Sequence, residues 1–278
     1  MYCRIPRIAG LAFLLLLMWS AWSFSAIADL HSLADSDIAL LQKSIQSLPR
    51  GERIAFWAER FVGTPYDPDP LGEYVRRRVI VADDRVDCMY HVFRSVELAL
   101  SATPEEAIAA ALQRRFHNSG IVADGHVANY EDRFAYGEDM VFSGKWGHDV
   151  TAKFGRLFDV QGSRLNRPLH FLRKGLIPAA IGKFRTGDLV FFVLRHQGVS
   201  EELVGHMGVI AVNSSGKHQN ADSVFLIHAS GMKGRGGRVK KELLSAYSAK
   251  MSFAGIVITR FDERLGNERC MQCCLSPV

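Results

Sequence analysis

Apolar residues recur at helical spacing through the first third of the chain and at strand spacing through the last third. Ser36 to Leu48 and Gly51 to Val62 each read as an amphipathic helix. In the second, Ile54, Trp57, Ala58 and Phe61 fall on one face. Gly63-Thr64-Pro65-Tyr66 ends that helix, and Asp67-Pro68-Asp69-Pro70 keeps it from resuming. Val79-Ile80-Val81 is a short extended piece. From Asp87 to about Leu100 the helical period returns, with Val92, Phe93, Val96 and Ala99 on one side. Thr103-Pro104-Glu105-Glu106 opens a further helix, with threonine as N-cap and proline at the first helical position.

Residues 118–181 are rich in aromatic residues and glycine but have little clean periodicity. They read as an insertion of loops and short helices, the kind of long segment that forms a cleft wall. From Phe184 the pattern becomes that of strands: Asp188 to Leu194, His206 to Val212, Ser223 to His228 and Phe253 to Arg260. Helices first and an antiparallel sheet after them is the α+β arrangement.

The first 28 residues read as an export signal. Arg4 and Arg7 precede an apolar run from Leu11 to Met18, and Ala26-Ile27-Ala28 supplies a small-residue cleavage site. The apolar run is too short to favour a membrane span. The mature chain is then Asp29 to Val278, periplasmic or secreted, with one domain over residues 29–262 and a cysteine-bearing tail over 263–278. A net charge of +5 falls to +3 without the signal. That is compatible with an anionic polymer such as a cell wall and too weak for nucleic acid. Arg76-Arg77-Arg78 and the run from Lys233 to Lys241 read as solvated loops. Cys270, Cys273 and Cys274 crowd the tail with no histidine beside them, which suits a disulfide better than a zinc site.

Cys88 is therefore the one cysteine in patterned sequence. It opens a helix directly after Asp87, and unpaired N–H groups and the helix dipole there favour the thiolate. Two readings stand: a nucleophile, or a small buried hydrophobe. A cysteine nucleophile needs an imidazole in reach and a third group to orient it. Among ten histidines, His206 opens one strand and His228 closes the next. If those strands form a hairpin, the two rings meet at one sheet edge, and the helix of Cys88 can point its N-terminus at them. The alternative is a pair of ordinary strand-end histidines.

Gly63-Thr64-Pro65-Tyr66, Asp87-Cys88, Gly187 to Phe192, His206 to Ile210 and Ile227-His228-Ala229-Ser230 occur in an order that resembles the NlpC/p60 cell-wall cysteine peptidases. The segment Tyr130 to Thr151 is similar to their N-acetylmuramoyl-L-alanine amidase-like branch. The resemblance implies a papain-like core and hydrolysis of an amide in peptidoglycan or its muropeptides. It implies Cys88 as nucleophile, His206 as base and then acid, and His228 as the orienting member. Tyr66 and Asp87 would hold the amino end of a stem peptide, and the Cys88 N–H would be an oxyanion donor. Neither metal nor cofactor is implied, and a monomer is expected. Met89-Tyr90 replaces the small pair that usually follows the cysteine, which leaves the scissile amide open. An acyltransferase using the same three residues and a wall-binding module without catalysis are the alternatives.

Overall fold

The computed structural model describes residues 33–164, 166–195, 201–213 and 220–262. Its helices are α1 (Asp35–Ile45), α2 (Arg50–Arg60), α3 (Glu73–Arg76), α4 (Cys88–Leu100), α5 (Pro104–Arg114), α6 (Gly137–Ser143), α7 (Ile177–Ala180) and α8 (Leu244–Lys250). The strands are β1 (Val122–Ala123), β2 (His126–Val127), β3 (His148–Asp149), β4 (Leu157–Val160), β5 (Leu169–Arg173), β6 (Leu189–Val193), β7 (Val204–Val212), β8 (Val224–Met232), β9 (Gly236–Leu243) and β10 (Gly255–Arg260). The proposed leader, the cysteine tail, His196 and His218 lie outside the described residues.

One antiparallel sheet runs in the order β4-β5-β10-β6-β7-β8-β9, with β3 also on β10. Alternation along the strands gives each face its own core. Phe191, Val193, Met207, Val209 and Ile227 face α1, α2, α4 and α5. Val190, Phe192, Ile210 and Leu226 face α7 and α8. The architecture is α+β, as the pattern predicts, with helical material on both faces of the sheet.

The helix whose sequence shows one apolar side is buried all round: α4 is enclosed from Tyr90 to Ala99. Its polar side chains are paired internally, which makes such burial tolerable. Glu97 meets Arg115 at 2.6 Å, Arg94 meets Asp83 at 3.1 Å, and the Ser95 hydroxyl donates to the His91 carbonyl at 2.7 Å. Asp87 caps the helix by accepting the Tyr90 N–H at 2.8 Å.

Two sequence expectations change. Residues 118–181 are more than an insertion on the rim, because β4 and β5 extend the sheet and α6 braces β7. The buried Glu138 carboxylate on α6 accepts the N–H groups of Leu203 and Val204, fixing the strand two residues before His206. The basic run up to Lys241 is largely a strand, β9, the last of the sheet, whose outer edge bonds with Gly63, Thr64 and Tyr66. Val79-Ile80-Val81 belongs to no strand. The arginine run does sit in exposed local contacts, with Arg76 on Asp69 and Arg77 on Glu73.

Helix α2 reaches the sheet through two glycines. A Cβ on Gly51 would stand 2.2 Å from the Thr186 carbonyl oxygen, and one on Gly187 would stand 2.2 Å from the Gly51 Cα. Gly51→Ala is expected to lower stability by about 1–3 kcal/mol, the usual cost of overpacking, as read from urea midpoints.

Candidate active site

The site forms where the central sheet comes apart. The β7–β8 ladder runs from Val212↔Val224 to Val209↔Ile227 and stops there, while β8 continues along β9 to Met232. Beyond Val209 the two strands diverge, and the N-terminal end of α4, which packs on both, brings Cys88 to the opening. The N–H groups of Met207 and of Cys88 itself lie near enough to the Cys88 thiol to favour its ionised form.

Those N–H groups favour thiolate, as the helix terminus predicts, but they do not win. Burial and then the Asp87 charge push the Cys88 thiol up to about 12. Burial thus opposes the thiolate that the helix terminus favours. The thiol becomes a nucleophile only if a base removes its proton.

His206 and His228 come together, though not as first and last residues of a hairpin. Both strands are interior, so the pair is not at a sheet edge, and β8 runs four residues past His228. The rings lie on the same face, one step off register. His206 Nε2 and His228 Nδ1 are 2.7 Å apart, with the ring planes at 85°. Gly208 makes room for this, since a Cβ there would be 3.0 Å from the His228 Cβ. Burial pushes both imidazoles down to about 3. The neighbouring His228 and His91 add to the effect on His206, and His91 and Lys240 add to it on His228. Both rings are therefore neutral at ordinary pH. Among the described residues no hydrogen bond joins Cys88 to His206. The link between them is the backbone, since Met207 follows His206 directly.

Tyr66 and Asp87 also lie near Cys88. The Tyr66 N–H donates to the Gly237 carbonyl at 2.9 Å, and its ring lies on Gly231, where a Cβ would be 2.2 Å away. Burial raises the Tyr66 hydroxyl, and the charges of Cys88, Asp87 and Asp67 raise it further. Asp87 is already engaged twice: one oxygen caps α4, and the other takes the Lys233 ammonium at 3.1 Å. Lys233, at the turn between β8 and β9, also lies 5.6 Å from the Tyr66 ring centre. A substrate ammonium would meet Asp87 with that lysine already beside it.

Two residues beside the histidines are missing from the sequence reading. Glu242 Oε1 is 2.8 Å from His228 Nε2. The Tyr247 ring on α8 is 4.9 Å from His228 and 5.9 Å from His206. A cavity of about 260 Å³ opens here, bordered by Phe192, His206, His228, Glu242, Tyr247 and Phe253. Glu242 had a signal, as the only acid between Asp222 and Asp262. Tyr247, in a short helix after an edge strand, had none. His91 is remote from this role: its Nε2 lies 3.2 Å from the Ala58 carbonyl in the core. Among the described residues no group of three or more His, Cys, Asp or Glu side chains is placed to hold a metal ion. No described helix is long and apolar enough to cross a membrane.

No protein-family model matches the sequence, and no curated protein does. Solved structures do resemble it. An N-acetylmuramoyl-L-alanine amidase from Bacteroides uniformis superposes with a TM-score of 0.58 at 18% identity, covering 76% of this chain and 98% of its own. A Bacteroides fragilis protein described as a candidate xylanase gives 0.57 at 20% identity, covering 74% and 100%. A Legionella pneumophila protein gives 0.59 at 15% identity, covering 81% and 93%. At such identities the likeness establishes the fold that this chain shares with them, and it establishes nothing of the reaction.

Proposed function

We propose that the chain is an exported cysteine amide hydrolase with a papain-like NlpC/p60 core, cleaving an amide of peptidoglycan stem peptides. The single observation that carries this reading is the convergence at one break in the sheet. A helix-terminal thiol lies close enough to the Met207 N–H to feel it, and the residue before Met207 is an imidazole hydrogen-bonded to a second one. The amidase named among the similar structures supports the substrate class. A glycosidase, the other activity named among them, works with two carboxylates flanking the bond. The cavity beside the histidines has one, Glu242.

In this mechanism His206 Nδ1, the nitrogen not used by His228, accepts the Cys88 proton as the sulfur attacks the amide carbon. Catalytic hydrogen bonds often tighten only once substrate is bound. The carbonyl oxygen gains the negative charge beside backbone N–H groups, Cys88's among them. The imidazolium returns its proton to the leaving nitrogen, the C–N bond breaks, and an acyl-thioester remains. Water, deprotonated by the same imidazole, releases the acid and restores the thiol.

The occupied Asp87 bears on which amide is cut. With Lys233 on its free oxygen, the subsite is already charge-balanced and does not demand a substrate ammonium. That favours the lactyl–L-alanine amide, whose alanine nitrogen is acylated, over a link reached from a free amino end. Digesting purified sacculi and identifying the new termini by mass spectrometry tests this. Intact stem peptides with free alanine amines are expected. Shortened stems with new diaminopimelate amines would move the cut inside the peptide, and no product at all would refute hydrolysis.

A further inference from the structure

We propose that Glu242 is a positioning residue that sets the tautomers of both histidines and so makes His206 a base; this rests on the hydrolase reading above. A neutral imidazole carries one N–H, and both nitrogens of His228 are engaged, Nδ1 by His206 at 2.7 Å and Nε2 by Glu242 at 2.8 Å. An ionised carboxylate only accepts, so His228 must carry its hydrogen on Nε2. Its Nδ1 is then a lone pair, which obliges His206 to donate from Nε2. That leaves the lone pair of His206 on Nδ1, the nitrogen that must take the thiol proton.

Without the carboxylate, the chain of hydrogen bonds can reverse. His228 would donate from Nδ1, His206 would accept at Nε2, and His206 would carry its hydrogen on Nδ1, where it cannot accept another. The two chains have the same number of imidazole–imidazole hydrogen bonds, so only the group at the far end distinguishes them. The fold supplies that group deliberately placed: β8 and β9 pair His228 with Lys240 and Leu226 with Glu242, so Glu242 is the diagonal same-face neighbour of His228. The charged and titratable groups around the pair are Lys240 and Glu242 from β9, Tyr247 and Lys250 from α8 and His91 from α4. Glu242 is the one anionic group in that set.

The test uses the whole chain labelled with ¹⁵N-histidine, in wild type, Glu242→Gln and Glu242→Leu. Long-range proton–nitrogen spectra identify the protonated nitrogen of each ring. The wild type should show Nε2–H on both His206 and His228, and both variants should show mixed tautomers. In muropeptide hydrolysis kcat should fall about 10²-fold or more in Glu242→Leu, the scale of general acid–base catalysis, with KM little changed. Glu242→Asp should recover part of the loss, and Glu242→Gln, isosteric and so the safer variant for folding, should lie between. A wild-type His206 protonated on Nδ1, or tautomers indifferent to both variants, would overturn the assignment. Correct tautomers in a protein that cleaves no muropeptide would uphold it while refuting the hydrolase reading.

Discussion

Replacing Cys88 with alanine should reduce product release from sacculi by about 10⁴-fold or more, the scale seen when a covalent nucleophile is removed, with the melting temperature little changed. The small thermal effect follows from position. Cys88 is the first residue of α4, and the helix keeps its cap through Asp87 and Tyr90. The large kinetic effect follows because no other described side chain at the break is a nucleophile of comparable strength. The raised thiol adds a second, sharper expectation. With its pKa pushed to about 12 by burial and by Asp87, Cys88 should be alkylated by iodoacetamide at pH 7 more slowly than an exposed thiol. The rate should climb steadily toward alkaline pH, because only the thiolate reacts. Mass spectrometry of the Cys88 peptide separates this site from the tail cysteines. Rapid alkylation at pH 7 that is independent of pH would mean a preformed thiolate and would overturn the need for His206 as a base in the first step. Undiminished product release by Cys88→Ala would overturn the cysteine mechanism altogether.

What the sequence makes legible here depends on how local the physics is. The α4 start can be read from Asp87 and the apolar spacing after Cys88, because a cap and a helical period are properties of neighbouring residues. The histidine pair can be read in part, because strand period places His206 and His228 on strands. The register between those strands cannot be read, since it is set by where the β7–β8 ladder ends, and a hairpin drawn from first residue to last misplaces both rings. The burial of α4 on every side depends on partners distant in the chain, such as Arg115 for Glu97, and from the sequence only one face of it shows. Strand β9 hides because its glycines and lysines have the composition of a loop. With β9 missed, Glu242 had no strand to stand on, and its approach to His228 was out of sight.

Stability should fall as the pH drops below about 6.5, and the buried imidazoles are the reason. His91 is held down to about 4, chiefly by burial, and His206 and His228 to about 3. In the unfolded chain each titrates near 6.5. The sign follows directly: a group whose folded pKa is depressed supports the fold above its unfolded pKa and withdraws that support as pH falls toward the folded value. Each proton taken up only by the unfolded chain costs about 1.4 kcal/mol per pH unit, against a total domain stability of about 5–15 kcal/mol. His206 and His228 share a hydrogen bond and should act as one coupled unit, with the Glu242 carboxylate easing the first proton onto the pair. Among the described residues the His91 ring hydrogen-bonds only to the Ala58 carbonyl, and so it should bear the penalty in full. Urea midpoints measured at pH 7, 6 and 5 should therefore decline progressively, with the decline shallower in His91→Gln than in wild type after allowing for the variant's lower starting stability. Equal slopes in the two proteins would show that His91 is not held neutral by the fold, and a level wild-type midpoint from pH 7 to pH 5 would show the same for all three rings.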